Sequence, residues 1–257
     1  MQFENVSIVL PTLKETDSII KVVSLILDTN KASDIREFLF VVCEKTRKES
    51  FENIDRAKKI ALEKGIEVKI IYQKLPYFGG AIRDGFMEAK GSHVCMVTPD
   101  MDTAPDKLCK MIKLAKKYPG DVIVATRWKK GGGFVNYSKA KKIWNYFSQK
   151  FLNVLYLTTL SDFTWGNQLV PTILYQSIEF QEVKHPINIE RVVIPLRLGI
   201  PFHEVPAVCR MPRGDETVNP LWANMEYLRP AVKLRFTRKK KLVKDSVDYK
   251  QLVQKLK

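Results

Sequence analysis

Residues 79–105, GGAIRDGFMEAKGSHVCMVTPDMDTAP, constrain the fold more than any other stretch. The pattern predicts a Gly-Gly turn opening a helix from Ala81 to about Lys90, then a turn at Gly91-Ser92. An apolar strand from His93 to Thr98 follows and runs directly into Asp100-Met101-Asp102. A strand with no polar alternation is covered on both faces, which points to a parallel sheet. Ligands of such sheets sit beyond the carboxyl ends of the strands, where these two carboxylates fall. Two carboxylates one residue apart can share a hard cation such as Mg²⁺, whose shell is completed by water and substrate phosphates. The spacing therefore suits a nucleoside diphosphate.

The rest of the first half repeats this logic. Val6–Leu10 reads as a short apolar strand stopped by Pro11. Thr16 or Asp17 can cap the next helix, in which Ile19, Ile20, Val23, Ile26 and Leu27 recur at helical spacing. Phe38–Cys43 is a second buried strand followed by Glu44, residues 50–64 a helix ended by Gly65, and Val68–Tyr72 a third strand. A helix over 106–117 and a strand over 121–125 complete the series. Strands alternating with helices of this length predict an α/β chain, a Rossmann-like, mostly parallel sheet with helices on both faces. Pro11, Glu44, Asp100 and Asp102 all fall at the strand ends that face a ligand.

After Ala125 the character changes. Arg127-Trp-Lys-Lys-Gly-Gly-Gly133 reads as a flexible basic loop, in which the Arg127 fork could pair with phosphate. Residues 134–160 are amphipathic. Ala140, Ile143, Trp144, Phe147, Phe151, Val154 and Leu155 make one face, and Ser138, Lys142, Asn145, Gln149 and Asn153 the other. This is either a core helix or, given its aromatic residues and lysines, a helix lying in a membrane interface. A turn at 161–166 carries Asp162, and a short helix over 188–198 carries Glu190 near its start. A strand over 203–209 contains Glu204, and the loop after it offers Arg213 beside Gly214. Glu190 and Glu204 read as structural, and Arg213 as a functional cation.

Composition limits the setting. A chain of 257 residues is one large domain, or one domain with an appendage. The four cysteines form no C-x-x-C pair, which fits a reduced, cytosolic protein, and the three histidines show no metal-ligand spacing. No apolar run reaches the roughly 18 residues that span a bilayer, and the N-terminus moves straight into a strand with no signal peptide visible. The formal charge is +15, and residues 233–257 hold ten Lys/Arg against two Asp. Such a basic tail seeks polyanions, either nucleic acid or an anionic lipid surface.

Taken in order, the blocks SIVLPTLKE, YFGGAIRDGFMEAKG, TPDMDTAP, Arg127 with KKGGG, SDFTWGN, IERVVIPLRLG and FHEVPAVCRMPRG resemble family-2, GT-A-type glycosyltransferases. The likeness is to the polyprenyl-phosphate (dolichol-phosphate) mannose and glucose synthases, and covers about Val6 to Arg235. It implies a catalytic domain over 1–232 followed by the basic tail 233–257. It also implies inverting transfer of a hexose from a nucleotide sugar, GDP-mannose or a UDP-hexose, to dolichyl or undecaprenyl phosphate. By that resemblance Pro11, Glu15 and Glu44 line the nucleoside, with Arg83 nearby. Asp100 and Asp102 hold Mg²⁺ or Mn²⁺ on the diphosphate, and Asp102, Asp162 and Arg127 carry the chemistry. Arg127, Lys141, Lys142 and Arg213 meet the acceptor phosphate or the donor diphosphate. The enzyme would be cytoplasmic and peripheral, on the inner face of the membrane. The chain departs from the family pattern at Cys43-Glu44, where two Asp are usual, at Gln168, where an Arg is usual, and at Asp215-Glu216-Thr217. A hydroxyl acceptor on a growing glycan would need a base, for which Asp162 is the candidate. A basic nucleic-acid-binding protein is the remote alternative, and no helix-turn-helix, zinc module or RNA-binding aromatic motif supports it. A sugar nucleotidyltransferase would show a Gly-rich, Arg-containing loop after the first strand, where PTLKET stands.

Overall fold

A computed structural model describes residues 1–210 and 226–257. Nine helices and nine strands are described. The seven-stranded main sheet is built from β1 (Val6–Pro11), β2 (Ile35–Val42), β3 (Glu67–Tyr72), β4 (His93–Met96), β5 (Val122–Thr126), β7 (Gln168–Pro171) and β8 (Phe202–Pro206). Its order is β3-β2-β1-β4-β7-β5-β8, and all neighbours are parallel except β7, which runs antiparallel to both β4 and β5. The expected mostly parallel α/β sheet is present. Helices α1 (Asp17–Thr29), α2 (Lys48–Glu63) and α4 (Leu108–Lys117) bury one layer of side chains with the sheet, including Ile19, Val23, Ile54 and Met111. On the opposite face α3 (Tyr77–Glu88), α6 (Thr172–Ser177) and α7 (Ile187–Leu198) bury a second, centred on Phe86, Tyr175 and Val192.

Several boundaries differ from the sequence reading, each for a local reason. Gly79 and Gly80 do not form a turn before α3 but lie inside its first turns. A side chain at Gly79 would meet the Val183 backbone at 2.6 Å, and one at Gly80 the Leu75 carbonyl at 2.5 Å. The glycines serve close backbone approach. Thr16 occupies the position before α1 without a side-chain cap bond. The strand expected over 203–209 is two strands. β8 joins the main sheet, and β9 (Val208–Arg210) leaves it at Ala207 to pair in parallel with β6 (Gly133–Val135).

The segment 134–160 yields helix α5 (Lys139–Tyr156), oriented against the amphipathic expectation for a core helix. Its polar residues Asn145 and Gln149 are buried, while Ile143, Phe147 and Val154 are 60%, 63% and 74% exposed. The reason is a set of specific bonds. Gln149 Oε1 accepts the Phe163 N–H at 2.8 Å, Gln149 Nε2 donates to Asn145 Oδ1 at 2.6 Å, and Asn153 Nδ2 donates to the Leu160 carbonyl at 2.6 Å. The polar face thus clamps the 160–164 turn.

The basic stretch 233–257, expected as a tail after the catalytic domain, folds against the rest of the chain. Helix α8 (Leu228–Phe236) is followed by a 3₁₀ turn over 239–242 and by α9 (Tyr249–Leu256). Leu234, Leu242, Val243, Leu252 and Leu256 are buried in the larger core cluster, and Val243 pairs with Ile178. The lysines point outward from a docked strap. Among the described residues no helix is long and apolar enough to cross a membrane.

Candidate active site

The site assembles where β4 and β5 end. From β4 the chain passes through Pro99 into a turn held by its own side chains. The Asp102 N–H donates to Asp100 Oδ1 at 3.0 Å, and the Thr98 N–H donates to Thr103 Oγ1 at 3.0 Å. Met101 and Ala104 both adopt left-handed backbone, φ +69° and +49°, which costs a non-glycine residue of order 1–2 kcal/mol. Asn167, next to β7, donates to the Thr103 carbonyl and fastens the turn to the sheet. Asp100 is exposed and Asp102 half-buried.

Asp102 has an unanticipated neighbour. The Cys209 thiol donates to Asp102 Oδ1 at 2.8 Å. Burial pushes the Asp102 carboxyl above its ordinary range; the thiol bond opposes this, Asp100 adds to it, and Arg127 opposes it. Burial, reinforced by Asp102, pushes the Cys209 thiol far up, so it remains protonated. The sequence held a signal for this contact, since Cys209 follows β8 as Asp100–Asp102 follow β4. Only the switch of β9 into the second sheet turns it toward Asp102.

Arg127 and Asp162 correct the sequence reading. Both are buried and face each other across a bidentate pair, Nε to Oδ2 at 2.7 Å and Nη2 to Oδ1 at 2.8 Å. The Arg127 N–H adds a third bond to Oδ2, and Nη2 also reaches Thr164 Oγ1 at 2.9 Å. Burial works against the Arg127 charge, and Asp162 more than restores it. The fork expected in a flexible loop to clasp an anion therefore clasps Asp162, and both oxygens of the expected base are occupied. The pair sits under the aromatic rings of Phe134 and Trp165, 5.1 and 5.6 Å from the guanidinium carbon. Asp102, Cys209, Arg127 and Asp162 act on one another electrostatically.

Other expected residues are placed as follows. Pro11 ends β1 beside Val41. Glu15 accepts the N–H groups of Leu13 and Lys14 at 2.7 and 3.0 Å, so its carboxylate closes that loop. Glu44 is exposed at the end of β2. Arg83 is half-buried on α3, where its charge acts on Glu190. Lys142 is exposed on α5, 5.2 Å from the Phe134 ring, and Lys141 is half-buried beside it. Arg213, with Asp215-Glu216-Thr217, lies outside the described residues. Glu190 and Glu204, read as structural from the sequence, both bond neighbouring groups of the chain. Glu190 accepts the N–H groups of Gln181 and Glu182, and Glu204 bonds Ser161 and Lys129. Among the described residues no group of three or more His, Cys, Asp or Glu could hold a metal alone. A cation at Asp100 and Asp102 would complete its shell with oxygens from water or a ligand.

The chain resembles glucosyl-3-phosphoglycerate synthase from Mycobacterium tuberculosis, solved with Mn²⁺, UDP and phosphoglyceric acid. Identity is 13%, the TM-score 0.65, and 91% of this chain and 80% of that one are covered. The same enzyme with Mg²⁺ and UDP matches at 15% identity and TM-score 0.61, over 90% and 78% of the two chains. A further mycobacterial protein matches at 16% identity and TM-score 0.66, over 90% and 75%. These likenesses show a shared fold. In sequence, the pattern described as Glycosyl transferase family 2 matches residues 7–176, from β1 through α6. That span is well over half of the chain and contains the Asp100–Asp102 turn and the Arg127–Asp162 pair, and the protein belongs to glycosyl transferase family 2.

Proposed function

We propose that this glycosyltransferase moves a hexose from a nucleoside-diphosphate sugar to a polyprenyl phosphate at a membrane surface. One observation carries the choice of acceptor. Helix α5, which braces the Asp162 turn from behind, turns Ile143, Phe147, Phe151, Val154 and the following Leu157 outward. Exposed Lys139, Lys142 and Lys150 lie along the same helix. A contiguous apolar face rimmed by cations suits insertion at an anionic lipid interface. Val232 and Phe236 of α8, a helix tied to α5 by the bond from the Tyr156 hydroxyl to the Ala231 carbonyl, are exposed apolar side chains as well. The predicted peripheral placement on the cytoplasmic side of a membrane belongs to this reading.

The residues of the site fit the reaction. Asp100 and Asp102 supply hard oxygen donors for Mg²⁺ or Mn²⁺, consistent with the metals in the solved structures of similar fold. When bound, such a cation stabilises charge on the departing nucleoside diphosphate. An acceptor phosphate oxygen forms the new bond to the sugar's C1 as the bond from C1 to the diphosphate breaks, with inversion at C1. A phosphate acceptor is already anionic and needs no base, in keeping with an Asp162 whose two oxygens are held by Arg127. Asp162 instead fixes the Arg127 charge near Asp102.

The test incubates purified protein with UDP- and GDP-hexoses, Mn²⁺, and either a short polyprenyl phosphate in vesicles or 3-phosphoglycerate in solution. Sugar on the lipid, lost in Asp102→Ala, supports the proposal. Sugar on 3-phosphoglycerate alone would replace it with the soluble acceptor class seen with the similar fold.

A further inference from the structure

Glu190 lines a cleft of about 470 Å³ between two parts of the chain. One wall is the segment from Glu179 into α7, and the other is α8 with the turn that follows it, through Leu242. Both walls are fixed in place. The Glu179 N–H donates to the Leu242 carbonyl at 3.1 Å, and Ile178 pairs with Val243. Arg197 of α7 donates to the carbonyls of Arg235 and Thr237. Pro230, Leu234 and Leu242 are buried and make up the apolar part of the lining. The volume is within the range of small-molecule sites, roughly 300–1,000 Å³.

The two walls carry opposite charge. The first contributes the carboxylates of Glu179, Glu182 and Glu190, and the second the cations of Lys233, Arg238 and Lys241. Among the described residues no ion pair joins any of these carboxylates to any of these cations. Glu190, 2% exposed, bonds the backbone N–H groups of Gln181 and Glu182 on its own wall. A simple anion drawn to the cations would be repelled by the carboxylates, and a simple cation the reverse. A zwitterion satisfies both walls. Carboxylates accept hydrogen bonds from a primary ammonium, whereas a quaternary ammonium is held by a cage of aromatic rings. Phe236 is the one aromatic among the described lining residues, so the cleft suits the primary ammonium. Phe236 is also 79% exposed, and Lys239 and Lys240 are exposed on the adjoining turn. An exposed ring beside cations is what a surface that meets a bilayer presents.

We propose that this cleft binds the headgroup of a membrane phospholipid that carries a phosphate and a primary ammonium, as phosphatidylethanolamine does. Lys233, Arg238 and Lys241 take the phosphate, and Glu179 and Glu182 the ammonium. The apolar lining and Phe236 meet the glycerol and the first acyl methylenes. This rests on the membrane placement proposed above, and on neither the donor nor the acceptor.

The experiment is vesicle sedimentation with the full chain. Vesicles of phosphatidylethanolamine are compared with vesicles of phosphatidylcholine, each with the same fraction of phosphatidylglycerol, so that surface charge is constant. The parent should bind the ethanolamine vesicles about tenfold more tightly, the worth of one hydrogen bond to a charged group. Glu179→Gln with Glu182→Gln should abolish that ratio. Taking the ratio cancels the general gain in affinity for anionic vesicles that losing two negative charges brings. The double variant should melt within about a degree of the parent, because among the described residues neither carboxylate bonds another group of the chain. Equal affinity of the parent for the two vesicles would overturn the headgroup site and leave the membrane placement standing. A preference that survives in the double variant would put recognition elsewhere and overturn the site as well. Parent protein that sediments with neither vesicle would overturn both readings. Calorimetric binding of glycerophosphoethanolamine by such a protein would then assign the cleft to a soluble zwitterion in place of the lipid.

Discussion

Single residues set the chemistry of this site, and their contacts give each a distinct expected phenotype. Asp102→Ala removes one of two donors for the cation, and with several kcal/mol of charge stabilisation at stake, transfer should fall about a hundredfold or more. Far-ultraviolet circular dichroism should stay unchanged, because among the described residues the Asp102 carboxylate bonds the Cys209 thiol and no backbone group. Cys209→Ala leaves both carboxylates but frees Asp102 Oδ1 from the thiol that orients it. Mn²⁺ affinity, read by electron paramagnetic resonance, should then drop roughly 10–100-fold, while an unchanged affinity would reduce the thiol to packing. His93 makes a prediction about stability. Burial pulls its imidazole down to about 4, against the Pro119 carbonyl bond that favours the charged form. The folded chain therefore holds His93 neutral while the unfolded chain takes up a proton below pH 6.5. Stability is lost as pH falls from 6.5 toward 4, by about 3 kcal/mol at most. Glu190, raised to about 7 mainly by burial, slopes the opposite way. The measurement is accordingly the difference between parent and His93→Gln in denaturant melts at pH 7 and pH 4.5, where the gap should shift in favour of Gln at the lower pH.

Helix α5 shows what elements add that residues do not. Its two faces were readable from sequence, as were most strands and helices of the first half, because apolar runs and 3.6-residue spacing report local structure directly. Which face points inward was not readable. Gln149 is buried because it satisfies the backbone of Phe163, a contact 14 residues away that no periodicity encodes. The same limit hid β7, whose Gln168–Pro171 run is too short to stand out, and the departure of β9 from the main sheet. It also hid the pairing of Arg127 with Asp162, 35 residues apart. Two substitutions separate the faces. Gln149→Leu leaves the Phe163 N–H without an acceptor and should lower stability by about 1–3 kcal/mol. In a chain of this size that is several degrees of melting temperature. Phe147→Asp with Val154→Asp should leave the melting temperature within about a degree, since these side chains are 63% and 74% exposed. The double variant should sediment far less with lipid vesicles, and undiminished sedimentation would remove α5 from the membrane reading.

At the scale of the molecule, the C-terminal strap changes how its charge can be probed. Residues 233–257 carry ten Lys/Arg against two Asp, and truncation is the obvious way to ask whether they attract an anionic surface. Here truncation would mislead. Removing 238–257 uncovers the positions that Leu242, Val243, Leu252 and Leu256 cover and strips the backbone bonds from Lys244 to Ser177 and from Glu179 to Leu242. The truncated chain should melt well below the parent and aggregate, whatever its affinity for lipid. Lys239, Lys240 and Lys241, in contrast, are exposed on the 3₁₀ turn that precedes the buried Leu242. Changing all three to Gln keeps the strap docked and removes three charges. Each basic residue near an anionic surface contributes about 1 kcal/mol, so the triple variant should bind vesicles rich in phosphatidylserine at least a hundredfold more weakly at low salt. The difference should shrink as salt is raised through the physiological range, leaving the contribution of the apolar face of α5 in place. Binding that is the same for both proteins at low salt would confine membrane attraction to α5. Loss of binding together with a lowered melting temperature would show that the lysines hold the strap itself.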